Sequence, residues 1–219
     1  MKREIDIKAI SDGRIYAGRD MVRAGTGGCS GCHKCCEGMA DTIIVSPRDV
    51  WRMKKALGCS FQELMETSLS LSVVDGLILP HIAMSGKACF YLNAEGRCSI
   101  HKARPDICRL FPLGRIYEGD DFGYFLQKDE CPAEMKTKVK VSKWIGEMRL
   151  SEYENYIRIW HRFLRQAESL ILSMPEIQKK ASLIVLQDCF VKDFEGDFYT
   201  AFYDVLREIR GRLGLSPEV

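Results

Sequence analysis

The chain has 219 residues, of which 46% are hydrophobic and 28% are charged, and its formal net charge is +2. A chain of this size and composition can bury a hydrophobic core, so it does not need a metal ion merely to fold. The nearly balanced charge argues against a general nucleic-acid-binding protein, and we expect no nucleic-acid partner.

The first predicted segment is an arm of weak hydrophobic periodicity over residues 1–28. Charged residues interrupt its apolar pairs at the start, which leaves no apolar core for a secretory signal peptide. The chain also has no apolar run of about 18 residues, the length that crosses a membrane. We therefore expect a cytoplasmic protein without a membrane partner, whose thiols stay reduced.

Residues 29–132 are interpreted as a cysteine-rich module of short elements. Ser46-Pro47 and a Ser-Phe-Gln-Glu capping box at 60–63 predict the starts of two helices, the first of which ends at Gly58. Apolar and turn patterns predict the other elements. They are an extended stretch at 43–45, a strand over 77–83, a turn at 93–96, a helical turn after Pro105, and a hairpin of strands 113–117 and 122–126.

Residues 133–219 are predicted to be helical and to form one compact unit with the module. Apolar residues at helical spacing predict helices over 142–149, over 151–173, from Pro175 onward, and over 197–213. A capping box at 151–154 marks the predicted start of the longest helix. The predicted fold class is α+β, in which a small cysteine-rich metal-binding module with short hairpins packs against a C-terminal helical bundle.

Eight of the ten cysteines require a common explanation, which could be disulfides, metal coordination or redox catalysis. Disulfide frameworks belong to short secreted chains, and a bridge between the adjacent Cys35 and Cys36 would be strained. The spacing therefore favours metal coordination. The eight candidate ligands are Cys29, Cys32, Cys35, Cys36, Cys89, Cys98, Cys108 and Cys131.

Two-residue gaps between Cys29, Cys32 and Cys35 allow these three thiolates to meet inside a tight turn. Together with the remote Cys131-Pro132, this spacing is typical of a bacterial ferredoxin and predicts an iron–sulfur cluster of the 4Fe-4S type. A second four-thiolate centre is possible, because adjacent cysteine side chains diverge. Its ligands would be the remaining four, Cys36, Cys89, Cys98 and Cys108.

Zinc is the alternative to iron, because zinc and iron–sulfur clusters accept the same thiolates. Cys98-Ser-Ile-His101 has the Cys-x-x-His spacing of a zinc site, which makes His101 a candidate extra ligand. Arg104 and Arg109 flank Cys108 and could donate charge-assisted hydrogen bonds to the thiolates. Ordinary surface arginines are the alternative interpretation of this pair.

The order of these motifs is similar to that of a known bacterial and archaeal family. The motifs are Cys-x-x-Cys-x-x-Cys-Cys from Cys29, Cys89-Phe-Tyr-Leu, Gly96-Arg-Cys-Ser-Ile-His, and Arg104-Pro-x-x-Cys-Arg-x-Phe-Pro. Over residues 25–135, approximately, the chain resembles the cysteine-cluster family of zinc- or iron-chelating domains, which includes flagellin lysine N-methylases. The resemblance implies that the eight cysteines are metal ligands. The family often has Tyr at the position of His101.

Two functions from different classes follow. The first is a metal-binding protein whose iron–sulfur cluster or zinc serves structure, electron transfer or sensing, with an unidentified protein partner. The second is an enzyme: an S-adenosylmethionine-dependent protein lysine N-methyltransferase, which the resemblance implies, or an iron–sulfur oxidoreductase. The sequence shows no Gly-rich strand–turn–helix for a nucleotide cofactor, and it identifies no catalytic residue. The metal-binding protein is therefore the preferred interpretation.

Overall fold

The computed structural model describes residues 6–25, 32–39, 41–133 and 137–216. The helices are α1 (Ile7–Ile10), α2 (Pro47–Leu57), α3 (Phe61–Thr67), α4 (Asp106–Leu110), α5 (Val141–Trp144), α6 (Leu150–Ser173), α7 (Gln178–Leu186) and α8 (Phe198–Arg212). The strands are β1 (Met21–Gly25), β2 (Leu69–Val74), β3 (Leu77–Ile82), β4 (Met84–Ser85), β5 (Ala88–Cys89), β6 (Leu113–Glu118), β7 (Asp121–Leu126) and β8 (Thr137–Lys140).

The strands of the described residues pair in two-stranded antiparallel sheets, namely β1 with β8, β2 with β3, β4 with β5, and β6 with β7. The hairpin predicted at 113–126 is confirmed as β6–β7. The strand predicted at 77–83 is confirmed as β3, and the sequence prediction omits its partner β2. Ile44 adds a bridge to His81, so the extended stretch predicted at 43–45 lies beside the β2–β3 hairpin.

The helices α2 and α3 begin at their predicted caps. The Ser46 side chain accepts a hydrogen bond from the backbone N–H of Asp49, and the Asp49 carboxylate accepts one from the backbone N–H of Ser46. Ser60 and Glu63 form the same capping box at the start of α3. Helix α2 ends at Gly58, whose φ of 67° is a left-handed conformation that glycine adopts without steric cost.

Two predicted helix bounds in the C-terminal region are wrong. Helix α5 is only four residues long, and the chain turns into the left-handed conformation soon after it, at Gly146 with a φ of 66°. Helix α6 begins at Leu150 with Arg149 as N-cap and without a side-chain capping bond, so the capping box predicted at 151–154 does not form. The Leu150 side chain lies against the backbone of Gly18, and this contact favours a helix that starts one residue earlier.

The remaining helices lie where the apolar stripes predict them, with one subdivision. The segment predicted to be helical from Pro175 consists of a 3₁₀ turn, helix α7 and a π-helical turn that buries Cys189. Helix α8 begins after Asp197, whose carboxylate accepts a hydrogen bond from the backbone N–H of Thr200. These stripes therefore form core, as predicted.

One hydrophobic cluster includes residues from both the cysteine-rich module and the C-terminal helices. Tyr156 of α6 is fully buried and packs edge-on against Phe198 of α8. The β2–β3 hairpin contacts α7, because the backbone N–H of Ile78 donates to the Ser182 hydroxyl at 3.1 Å. The mixed helix-and-strand class, with small hairpins and a helical C-terminal region, is confirmed. None of the described helices combines the length and apolarity that crossing a membrane requires.

Candidate metal centre

Cys35 and Cys36 lie in a short 3₁₀ turn. Two residues after this turn, the backbone N–H of Gly38 donates to the carbonyl of Lys87 at 2.7 Å. This hydrogen bond fixes the turn beside the β4–β5 hairpin, whose last residue is Cys89. The dense cysteine motif and a cysteine far along the chain are thereby held side by side.

Cys89 and Cys98 occupy two similar tight turns. In each turn the carbonyl of the cysteine accepts a hydrogen bond from the backbone N–H three residues later. Leu92 donates to Cys89 at 2.9 Å, and His101 donates to Cys98 at 3.2 Å. The sulfur of each cysteine also accepts a hydrogen bond from the backbone N–H two residues later. Hydrogen bonds of this kind favour the thiolate form and hold the sulfur in one orientation.

The turn predicted at 93–96 lies between these two cysteines and is confirmed. The N–H of Gly96 donates to the carbonyl of Asn93 at 3.0 Å. Cys98 is bridged to Leu92, however, whereas Cys89 belongs to the β4–β5 hairpin. The two thiols therefore do not face each other across a single hairpin, because each lies in its own turn.

Cys108 lies on α4, which is held in place by a buried carboxylate. Asp106 is only 4% exposed. Its carboxylate accepts hydrogen bonds from Arg48 at 3.1 and 3.2 Å, from Arg109 at 3.4 Å and from Arg52 at 3.5 Å. Guanidinium groups from α2 and α4 thus neutralise one carboxylate and fix the helix that contains Cys108.

Both ends of α4 have a further anchor. At its start, the backbone N–H of Asp106 donates to the Asp49 carboxylate of α2 at 2.8 Å. At its end, the indole N–H of Trp144 in α5 donates to the carbonyl of Leu110 at 3.2 Å. Helix α4 is therefore tied to the helix before it and to the C-terminal region.

The thiols of Cys35 and Cys36 interact directly. The pKa of Cys35 is lowered to about 6, chiefly because the Cys36 thiol donates a hydrogen bond to its sulfur. Arg104 and His33 lower the pKa of Cys35 further through their charge. The pKa of Cys36 is raised, because it is the donor and because burial and the adjacent sulfur disfavour its ionisation.

Burial is the main reason why the pKa values of Cys89, Cys98 and Cys108 are raised. The charge of neighbouring sulfurs raises these pKa values further. Cys89 raises the pKa of Cys98 and that of Cys108, and Cys35 raises the pKa of all three cysteines. Cys36 is affected by Cys89 and Cys108 in the same way. Five cysteines from four separate segments therefore share one electrostatic environment.

A different group of cysteines lines a small cavity of about 380 Å³. Cys32, Cys35 and Cys131 form part of its wall, and Trp144 contributes to the apolar remainder. Cys29 lies outside the described residues. Cys35 thus adjoins both the cavity and the other cysteines.

Within the described part of the chain, no three His, Cys, Asp or Glu side chains are grouped in a way that could hold a metal ion. The set of donors nevertheless fits zinc or iron, because both metals prefer thiolates. Two buried nitrogen atoms near Cys35 have no hydrogen-bond partner, Nδ1 of His33 and Nε of Arg104. Buried polar atoms are normally satisfied, so these two nitrogens are exceptions among the described residues, and Nδ1 of His33 lies beside the backbone of Gly96.

The two arginines predicted to support the thiolates have different surroundings. Arg104 lies close enough to Cys35 and Cys98 to lower the pKa of both. Arg109 instead donates to Asp106 and, at 2.7 Å, to the carbonyl of Gly146. Its guanidinium therefore positions α4 and, among the described residues, pairs with Asp106 and Gly146 and with no cysteine.

His101 is exposed, and its Nε2 is in contact with the guanidinium of Arg104. The pKa of His101 is lowered by burial of its ring and by the charges of Arg104 and Arg97. Within the described residues, the contacts of this ring include no cysteine sulfur. Its role as an extra ligand stays a prediction.

Sequence reasoning missed Asp106, Arg48 and Trp144. The Pro105-Asp106 pair at the start of a predicted helical turn is a signal that could have identified Asp106. The other two residues have no local signal, because Arg48 is 58 residues from its partner Asp106, and Trp144 is 34 residues from Leu110.

The fold and the cysteine arrangement define a cysteine-rich α+β protein of a metal-chelating type. Residues 28–132 match the model of the CxxCxxCC family, whose description is "Putative zinc- or iron-chelating domain". These residues, slightly less than half of the chain, are therefore similar to the CxxCxxCC domain, and the resemblance inferred from the cysteine motifs is confirmed. No curated protein and no solved structure matches the chain.

We expect Asp106→Asn to lower the free energy of unfolding by about 3–5 kcal/mol, because it removes the buried charge that the guanidinium groups of α2 and α4 share. Only Arg48 of these has another carboxylate partner among the described residues, Glu147. Urea denaturation of the unmodified protein and of the Asp106→Asn variant measures the difference in the free energy of unfolding. The matched control is Asp121→Asn, which removes an exposed carboxylate paired with Arg158 at 2.7 Å and should leave the midpoint unchanged. An Asp106→Asn protein as stable as the unmodified one would contradict the anchoring role.

We expect Cys35 of metal-free protein to react with iodoacetamide at a rate that rises with pH around a midpoint of about 6. The reason is that the thiolate is the nucleophile and the Cys36 thiol stabilises it. Cys36→Ala should move this midpoint to higher pH, whereas Cys36→Ser retains a hydrogen-bond donor and should move it less. Mass spectrometry of the labelled peptide measures the rates. A midpoint at the value of an ordinary thiol, about 8.5, would refute this assignment.

Proposed function

We propose that the protein binds metal through its eight clustered cysteines and holds an iron–sulfur cluster or zinc. The main support is that sulfurs from separate segments lie close enough to raise thiol pKa values: Cys89 raises those of Cys36, Cys98 and Cys108, Cys98 raises that of Cys108, and Cys108 raises that of Cys36. Ionising several thiols in one partly buried place is unfavourable without a nearby positive charge. A metal cation provides that charge, and ligating thiols release their protons to it.

The proposal divides the ligands into two neighbouring sets. The first set surrounds the 380 Å³ cavity, which Cys32, Cys35 and Cys131 line, and would be completed by Cys29. The second set consists of Cys36, Cys89, Cys98 and Cys108. The adjacent Cys35 and Cys36 then belong to different sets. Their side chains do not diverge as expected from the sequence, because their thiols interact directly, so the two sets would be in contact at this point.

An iron–sulfur cluster in the first set is favoured by the Cys-x-x-Cys-x-x-Cys spacing with a remote Cys-Pro. Zinc fits the second set equally well, because four thiolates held by short turns and by α4 can surround a tetrahedral ion. A bound iron–sulfur cluster would supply electron transfer, and a bound zinc ion would supply a structural crosslink. The unlinked thiols of Cys32, Cys36, Cys89 and Cys98 also support a reducing compartment, the cytoplasm.

We expect Cys32→Ser and Cys108→Ser each to lower the metal content of purified protein by roughly half, since each removes a ligand from one of two sets. Elemental analysis measures metal per chain, and a brown colour in oxygen-protected protein identifies iron–sulfur. Cys59→Ser is the matched control, because this cysteine lies outside both sets and should leave the metal content unchanged. Unchanged metal stoichiometry and melting temperature in both ligand variants would contradict the proposal.

The alternative function is an S-adenosylmethionine-dependent protein lysine N-methyltransferase related to flagellin N-methylases, and only the resemblance supports it. Under the metal-binding proposal we expect no detectable heat when S-adenosylmethionine is titrated into metal-loaded protein. Isothermal titration calorimetry makes this measurement, with S-adenosylhomocysteine as the second ligand. A saturable heat with either compound would favour the methyltransferase.

A further inference from the structure

A cleft between the β6–β7 hairpin and α6 lies apart from the cysteines. It consists of an inner cavity of about 550 Å³ and an outer groove of about 2110 Å³. Both are lined by Ile44, Arg115, Tyr117 and His161, so the cavity and the groove adjoin each other. The two together are large enough for a small organic molecule.

Arg115 has an unusual environment within this cleft. Its guanidinium donates a hydrogen bond to the Tyr153 hydroxyl and lies over the rings of Tyr153 and Phe122. Its Nε is buried and has no hydrogen-bond partner. No carboxylate of the described residues lies within ion-pair distance of it, whereas Asp106 is shared by other arginines. An arginine is always charged, so this cation is left without a counter-ion.

The rest of the lining is mainly apolar. Ile157, Trp160 and Leu164 of α6 form one wall of the inner cavity. From the facing hairpin, the Tyr117 ring of β6 stacks on His161, which also belongs to α6, with the ring centroids 3.8 Å apart. An apolar body with one anionic group would therefore satisfy both parts of the lining.

The carboxylates at the inner end of the cleft are already occupied. The Asp49 carboxylate accepts hydrogen bonds from the N–H and hydroxyl of Ser46 and from the N–H of Asp106. Asp106 is neutralised by the arginines of α2 and α4 described above. These carboxylates are thus committed to the fold, and Arg115 is the cation in the cleft that lacks a partner among the described residues.

We propose that this cleft binds a small organic anion, in which a carboxylate or phosphate group pairs with Arg115 and an apolar body contacts α6. Ile107, which lines the inner cavity, immediately precedes Cys108 in α4. The bound anion would therefore lie against the helix that contains one of the candidate metal ligands.

The test is isothermal titration calorimetry of metal-loaded protein with phenyl phosphate, phenylacetate and the neutral 2-phenylethanol. Saturable binding of either anion, and weaker binding of the alcohol, supports the site, and the tighter anion identifies the preferred group. Arg115→Gln should weaken anion binding by about 10- to 100-fold, the loss expected for one charge-assisted hydrogen-bonded pair. The matched control is Arg162→Gln on α6, where Arg162 pairs with Asp120 at 2.7 Å outside the cleft.

Metal content is measured in parallel, and both arginine variants should bind as much metal as the unmodified protein. A failure of the anion-binding proposal is thereby distinguished from a failure of the metal-binding proposal. Absence of saturable anion binding to the unmodified protein would overturn the proposal, as would equal affinity for the alcohol or unchanged affinity in Arg115→Gln. If Arg115→Gln does not fold, amide chemical-shift mapping of the unmodified protein with the same anions replaces it. Shifts confined to β6 and α6 support the site, and shifts elsewhere overturn it.

Discussion

The constraint on which the site depends is the free-energy cost of gathering ionisable thiols in a partly buried place. Burial and mutual repulsion raise the pKa values of Cys89, Cys98 and Cys108, so these groups resist ionisation together. A cation reverses the sign of this interaction, because each thiolate then gains attraction to the metal. The proximity that is unfavourable among thiols alone therefore makes a strong set of ligands.

The fold meets this constraint by fixing the backbone around the sulfurs from two directions. Hydrogen bonds from backbone N–H groups orient Cys89 and Cys98 within their turns. Cys108 is positioned through α4, which Asp106 ties to α2 and which Trp144 ties to the C-terminal region. The helical region thus takes part in building the candidate metal centre. The same helix α4 forms one end of the cleft that contains Arg115, so the two sites share a structural element.

Local signals in the sequence predicted the elements that depend on local chemistry. The caps of α2 and α3, the β6–β7 hairpin and the start of α8 at Asp197 all follow from residues within a few positions of one another. Strand β2 was missed although its apolar residues alternate with serines, which is a local strand signal. In the structure Leu71 and Val73 are exposed, so this alternation does not mark a buried face. The start of α6 was wrong because a tertiary contact of Leu150 outweighs a weak local capping pattern. The cysteine motif indicated the candidate ligands. The residues that position those ligands could not be predicted, since buried ion pairs join residues that are distant in the sequence.

X-ray absorption spectroscopy at the metal edge of purified protein tests the central claim most directly. It reports the elements bound to the metal and their distances without any assumption about function. The account predicts a first shell of sulfur at about 2.3 Å, the metal–thiolate distance. A first shell of nitrogen and oxygen, or protein that binds no stoichiometric zinc or iron, would contradict it.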